Sequence, residues 1–363
     1  MIVDAILHLI RVIVIGGGII GSSVAYHLII GGAQVTVIPG NDPGGSATKK
    51  SFGWINAAEQ DNREYFEFRL AAMSDWHRLE KELDGLIRLN WNGSLWWESK
   101  PKIVEQTVDQ LSSWGYPIQL VSRKEARTIE PSIAYCPEYV AHANTEGSVS
   151  PDNVAQLLLD RAVSLGAIIR PGVADSLIFK GGRVVGVSIS GEQLSGDEII
   201  IATGACANTL LAQANVRLPI NKRSGLLAYS YRMPTILNGI ILAPGIHIRQ
   251  LYDGRLIAGR DFSGAGFATS SYSDEAQLIA SEACKLLGPG HFDLADFSIG
   301  VRPIPDDGLP AIGRISNAPG LYVLVMHSGI TLAPIVGRLT ADEIIHGRSI
   351  DLFEMYSIER FLK

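Results

Sequence analysis

The apolar positions of this chain change period as it runs. Val12-Ile13-Val14-Ile15 is a continuous β-branched run, the pattern of a strand buried on both faces. Gly16-Gly17-Gly18-Ile19-Ile20-Gly21 follows, then a helical stretch over 22–28, a Gly31-Gly32 stop and a second apolar run over 34–38. Residues 43–48 read as a loop and 49–56 as an ordered loop. The spacing then predicts a helix over 63–83, where Phe66, Leu70, Met73, Trp76, Leu79 and Leu83 recur at three- and four-residue steps before Asp84-Gly85. Asn92-Gly93 is a hairpin-type turn before Leu95-Trp96-Trp97. Ser122 and Glu125 form a capping box for a short helix that stops before Pro131. A helix over 152–165 leads into a strand at Ile168-Ile169.

Strands over 183–189 and 198–201 flank a hairpin containing Gly191. Over 220–259 short apolar runs alternate with turn residues, and Asp253-Gly254 signals a hairpin, so an antiparallel sheet is expected there. Gly264-Ala265-Gly266 reads as a loop, 274–287 as a helix and 321–325 as a strand. A helix over 332–345 closes the pattern, with Pro334 tolerable only in its first turn. The class is therefore α/β: a Rossmann-like domain, discontinuous in sequence, with a second α+β domain on an antiparallel sheet. Residues 1–60, 145–217 and 300–363 are assigned to the first, 61–144 and 218–299 to the second.

Composition narrows the function without choosing it. The chain has 363 residues, 47% hydrophobic and 19% charged, which suits an enzyme with a large core. A net charge of −6 with no basic run argues against nucleic acid as partner. Three scattered cysteines, Cys136, Cys206 and Cys284, suggest neither a disulfide framework nor a metal site and fit a reducing, cytoplasmic setting. No apolar run reaches spanning length, and residues 1–10 read as a plain extension rather than a signal peptide.

The glycine cluster carries the first chemistry. Gly16, Gly18 and Gly21 fit G-x-G-x-x-G between a strand and a helix. The first allows the tight turn, the second lets a pyrophosphate approach the backbone, and the third lets helix and strand pack closely. Ile19 and Ile20 open a helix whose N-terminal N–H groups face the phosphates. Such units usually end the second strand with an acid that grips a ribose hydroxyl. Here that place holds Pro39, with Asn41 and Asp42 shortly after.

Taken together the landmarks resemble the flavin-dependent amine and amino-acid oxidoreductases, the superfamily of D-amino-acid oxidase, glycine oxidase and sarcosine oxidase. They are the glycine turn; Arg63-Glu64-Tyr65; Glu146-Gly147-x-Val149-x-Pro151; and Ile199-Ile200-Ile201-Ala202-Thr203-Gly204-Ala205. Then come Gly300-Val301-Arg302-Pro303, Asp307-Gly308-Leu309-Pro310-Ala311-Ile312-Gly313, and His327-Ser328-Gly329-Ile330-Thr331-Leu332-Ala333-Pro334. The resemblance implies FAD between the two domains, and oxidation of a small amino acid or secondary amine to an imine by hydride transfer to flavin N5; with no cysteine over 302–305 the FAD is expected to be non-covalent. It adds Ser46, Thr48, Ser51, Gly53, Trp54, Val173, Thr203, Gly204, Arg302 and Ser328 to Thr331 to the cofactor-binding set. It gives Arg302 the substrate carboxylate through a planar, two-bond grip. His247 and Arg249 would line the pocket if they share a strand face, and His327 is a candidate base.

Two departures bear on the electron acceptor and the cofactor link. Sarcosine oxidases attach FAD through a cysteine where this chain has Arg302-Pro303-Ile304-Pro305, and they place an oxygen-activating lysine where this chain has Ile257. Oxygen and another acceptor therefore both stay open, as do a homo-oligomer and a heteromeric dehydrogenase partner. A non-catalytic or FAD-binding subunit of a larger amine dehydrogenase complex is the alternative reading. A nicotinamide dehydrogenase is a third, against which the Ser328-Gly329-Ile330 loop argues.

Overall fold

The computed structural model describes residues 9–42, 44–58, 62–260 and 271–362. Most of the 1–10 extension, Pro43 and the Gly264–Gly266 loop lie outside the described residues. The chain divides into two units: Met1–Lys49, Asp152–Lys222 and Arg302–Lys363 form the first, Lys50–Pro151 and Arg223–Val301 the second. The boundaries differ from those expected, because the short strands Trp54–Ile55 and Gly147–Ser148 pair with each other and draw their segments into the second unit.

The first unit is Rossmann-like. Its sheet runs Ala311–Arg314, Leu321–Val325, Glu198–Ile201, Arg11–Ile15, Gln34–Ile38, Ile168–Ile169. All neighbours are parallel except the first pair. Val12 to Ile15 are each at most 3% exposed, so the β-branched run is buried on both faces. Ile13, Ile15, Ile199, Ile201, Val323 and Val325 pack toward Leu177, Val184 and Val187 of a three-stranded antiparallel sheet. The Ile19–Ile30 and Gly329–His346 helices cross closely: Ser23 Oγ donates to the Ala333 carbonyl at 2.7 Å, and Gly337 lies where any Cβ would collide with Ser23.

The second unit is built on an eight-stranded sheet, largely antiparallel, with one parallel pair between Ile240–Ala243 and Ser94–Trp96. Period two sorts its strands. Leu95, Leu226, Ala228, Ile241, Ile246, Ile248, Leu256 and Ala258 point to one face and pack with Val104, Val108, Ala126, Ala276, Ile279 and Ala283 of three covering helices. Leu227, Ile240, Leu242 and Ile257 point to the other, with Phe52.

Several elements depart from expectation. The Asn92-Gly93 turn does not close a hairpin, since the strand after it pairs with Ile240–Ala243 and Tyr139–Ala143. The Gly191 hairpin joins Arg183–Ile189 to Glu192–Ser195, while Glu198–Ile201 goes to the parallel sheet. The last helix begins at Gly329, so Pro334, its sixth residue, sits inside it in the second turn. The expected loop over 49–56 contains the Trp54–Ile55 strand, and Ser46–Lys49 is a short helix.

Candidate functional site

In the first unit the glycine turn follows the Arg11–Ile15 strand at the point where the sheet order reverses, the usual ligand crevice of an open α/β sheet. Gly16 has φ +115°, and a Cβ there would strike the Ala202 carbonyl. A Cβ on Gly21 would strike the carbonyl of Gly16, and one on Gly18 would lie 3.2 Å from Thr48 Oγ1. The first four N–H groups of a helix lack partners inside it. Of these, the Ile19 N–H donates to Thr48 Oγ1 at 3.1 Å, which docks the Ser46–Lys49 helix against the turn. The second helix start is adjacent: a Cβ on Gly329 would lie 3.6 Å from Ile20 Cγ1. Ser328, its N-cap, is left-handed at φ +53°, a conformation a non-glycine residue adopts at a cost. The glycine turn and the Ser328–Thr331 turn are thus neighbours, with both helices starting there.

A flavin dinucleotide fits this end on two observations. The glycines keep Cβ atoms out of the turn, and Thr203 Oγ1 is buried without a hydrogen-bond partner among the described residues. Gly204 next to it has φ +53°, while its Cβ direction is open apart from Pro303 at 3.6 Å. Its glycine is therefore required by backbone conformation rather than by a clash inside the protein. Val173 is exposed after Gly172, which bridges to Gly40 beyond the second strand. Pro39 follows that strand as read from the sequence; its carbonyl accepts from Gly17 N–H at 3.3 Å. Asp42 is occupied by Lys49 Nζ at 2.6 Å. Arg302 is half-buried on the Leu294–Pro305 strand, and the His327 ring lies 3.3 Å from Ser328 Oγ.

In the second unit His247 and Arg249 share one face of the Ile246–Gln250 strand, and both are 3% exposed. Ile257, opposite Arg249 in register, lies on that face too. Arg249 Nε donates to the Phe52 carbonyl at 2.6 Å and Nη2 to the Val149 carbonyl at 2.8 Å. The cation thereby ties the sheet to the 52–54 and 147–149 segments. Gly53 is the residue between these bonds: at φ +78°, a Cβ would meet the Val149 carbonyl and come within 2.7 Å of Arg249 Nη2. Ser51 Oγ accepts from the Gly53 N–H at 3.3 Å. The Phe52 ring meets the His247 ring edge-on at 4.6 Å. Leu227, Ile240, Leu242 and Phe52 are buried on this face, with Trp54, Trp96, Tyr229 and Leu251 half-buried around them.

Glu146 was visible in the sequence only as part of a landmark. Its carboxylate is 1% exposed and accepts three side-chain hydrogen bonds: Trp54 Nε1 at 2.7 Å, Ser94 Oγ at 2.7 Å and Tyr116 OH at 2.6 Å. Tyr116 OH in turn accepts the Ala57 N–H at 3.2 Å. Burial pushes the Glu146 carboxyl above its usual range, against the pull of those donors and of the Arg69 cation. Burial, then the neighbouring Glu146 charge, lifts the Tyr116 phenol well above its usual value. No single segment signals this network, whose members come from four separate places in the chain.

Comparison with known proteins agrees with this geometry. Residues 11–343 match the family described as FAD dependent oxidoreductase. The chain is 26% identical to the uncharacterized oxidoreductase YurR of Bacillus subtilis, covering 94% of this chain and 96% of that protein. It is 24% identical to a glycine oxidase of Pseudomonas aeruginosa, over 93% and 95% of the two chains. The crystal structure of glycine oxidase from Geobacillus kaustophilus superposes with a TM-score of 0.86 over 96% of this chain and 98% of that one, at 22% identity, a likeness of fold. With a family match that spans nearly its whole length, the chain belongs to the FAD dependent oxidoreductases.

Proposed function

We propose that the protein oxidises the C–N bond of an amino acid or secondary amine to an imine, which water then hydrolyses. The observation that carries this reading is the meeting of two helix N-termini at adjoining turns in the first unit, built from Gly16–Gly21 and Ser328–Thr331. FAD, when bound, supplies a two-electron acceptor that takes a hydride at N5. The Ile19 helix start would hold the pyrophosphate, and Thr203 Oγ1 would donate to the cofactor. The Gly329 helix start would place partial positive charge where negative charge grows during reduction. With no cysteine over 302–305, the cofactor is held without a covalent bond.

Arg302 grips the substrate carboxylate through two parallel N–H···O bonds and so fixes the α-carbon. The amine reacts unprotonated; its nitrogen proton passes to water, and positioning supplies much of the rate. His247 and Arg249 lie together on one face of the second unit's sheet, where Arg249 braces the 52–54 and 147–149 segments. Ile257, in place of a lysine, favours an electron acceptor other than oxygen. The test is anaerobic mixing of the FAD-loaded protein with D-amino, L-amino and N-methyl amino acids while following flavin absorbance, then admission of air. Loss of the yellow band with at least one amine is expected; protein that takes up no FAD, or whose FAD no amine bleaches, refutes the reading.

A further inference from the structure

The cofactor end of the first unit is lined by glycines, helix starts and hydroxyls, while the cofactor it fits carries a negatively charged diphosphate. Helix starts supply only partial charge. From Gly16 to Lys49 the chain has no lysine or arginine other than Lys49 itself. That residue ends the Ser46–Lys49 helix, and the fold brings it back to the glycine turn. Gly44 N–H donates to the Gly17 carbonyl at 3.1 Å, and a Cβ on Gly45 would lie 2.7 Å from Gly18 Cα. The two glycines therefore lie directly on the turn, with φ of +90° and +74°. The lysine stem lies on Gly44 in its turn: a Cβ there would be 2.8 Å from Lys49 Cε. One residue earlier, Thr48 Oγ1 accepts the Ile19 N–H at 3.1 Å and so anchors the base of the lysine beside the helix start. All of these residues belong to the first unit.

Asp42 holds the Lys49 ammonium at 2.6 Å, with both side chains about half exposed. An exposed pair of this kind contributes little to stability. Its effect is on position, since it keeps a long, flexible cation over Gly44. The same bond engages the first carboxylate after Pro39, the residue that stands where an acid usually grips the ribose. We propose that Lys49, positioned by Asp42, is the cation that binds the pyrophosphate of FAD, and that this chain holds its cofactor by the diphosphate rather than by the adenosine ribose hydroxyls. This rests on the reading that FAD binds at the Gly16–Gly21 turn, and it names the group that carries the affinity. An ammonium has three donors, so it can keep the carboxylate and still meet a phosphate oxygen.

The test measures binding rather than turnover. Apoprotein is titrated with FAD by quenching of flavin fluorescence, with ADP, 2′-deoxy-ADP and AMP as competitors. Wild type should bind ADP and 2′-deoxy-ADP within about threefold of each other, and AMP about tenfold more weakly than ADP. Lys49→Met keeps the stem and removes the charge. It should weaken FAD and ADP about tenfold, narrow the gap between ADP and AMP, and flatten the loss of affinity on raising salt. Asp42→Asn should leave the ratio of ADP to 2′-deoxy-ADP affinity near that of wild type. Both side chains are half exposed, so both variants should unfold in urea near the wild-type midpoint. Unchanged FAD and ADP affinity in Lys49→Met overturns the inference while FAD still binds. So does a wild-type preference for ADP over 2′-deoxy-ADP of about tenfold or more, which an acid on the ribose would give. Protein that binds neither FAD nor ADP overturns the cofactor reading as well.

Discussion

The crossing of the two N-terminal-facing helices in the first unit can be tested by one methyl group. A Cβ on Gly337 would lie 2.9 Å from the backbone carbon and from Cβ of Ser23, and closer still to Ser23 Oγ. Backbone cannot yield there as a flexible side chain would, so Gly337→Ala must push the helices apart. Overpacking of this kind costs about 1–3 kcal/mol. The Ser23 Oγ to Ala333 carbonyl bond at 2.7 Å is also lost as the helices separate, about 1 kcal/mol net. Against this, alanine is about 1 kcal/mol better than glycine inside a helix. The sum is a destabilisation of about 1–3 kcal/mol, and it falls on the two helices whose first turns meet at the cofactor end. FAD titrated into apoprotein, followed by quenching of its fluorescence, should give a Kd at least severalfold weaker, and urea unfolding a lower midpoint. Ser23→Gly removes the hydroxymethyl that the Gly337→Ala methyl would meet, so the double variant should recover part of both losses, with a coupling above about 0.5 kcal/mol. A Gly337→Ala protein that is more stable and binds FAD as tightly as wild type would show that the crossing has slack and that the reasoning is wrong.

Other consequences follow from single groups. Arg302→Leu should raise KM for the amine by about 10–100-fold, the worth of a charged hydrogen-bonded pair, with FAD affinity nearly kept; an unchanged KM takes the carboxylate away from Arg302. Arg249→Leu should lower stability by about 3–5 kcal/mol in denaturant unfolding, since the Phe52 and Val149 carbonyls lose their buried donor and Gly53 its packing partner. Glu146 binds its proton more tightly when folded than its ordinary value of 4.5, so its contribution to stability is full below that pH and is lost as pH rises through the raised folded value. Glu146→Gln removes that slope: stability of wild type relative to the variant should fall as pH climbs above about 4.5, and a pH-independent difference would refute the assignment.

What the sequence showed and what it hid divide along a physical line. The strand, glycine turn and helix over 11–38 were legible because each residue is explained by its near neighbours: β-branching for a strand buried on both faces, glycine where φ is +115°. The period-two faces of the 246–250 and 255–259 strands were legible for the same reason, and they put His247 and Arg249 together. The Asn92-Gly93 turn misled because a left-handed glycine is compatible with several local paths, and the pairing that decided among them comes from strands far away in the chain. In sequence Glu146, between Thr145 and Gly147, stands out only as the first residue of a landmark. Its burial depends on donors at 54, 94 and 116, and no local pattern encodes that meeting.

The same division separates the cofactor end of the first unit from the sheet face of the second. The cofactor end is made mostly of backbone: glycines that exclude side chains, two helix starts, and a left-handed serine. Such a site tolerates Pro39 at the end of the second strand, since the turn is closed by main-chain bonds, Gly16 N–H to the Ile38 carbonyl at 2.9 Å and Gly17 N–H to that of Pro39. A ribose acid would add affinity to this end without shaping it. The sheet face of the second unit that carries His247 and Arg249 is made of side chains instead. Arg249 donates through two of its nitrogens to carbonyls of its own unit and so braces that face.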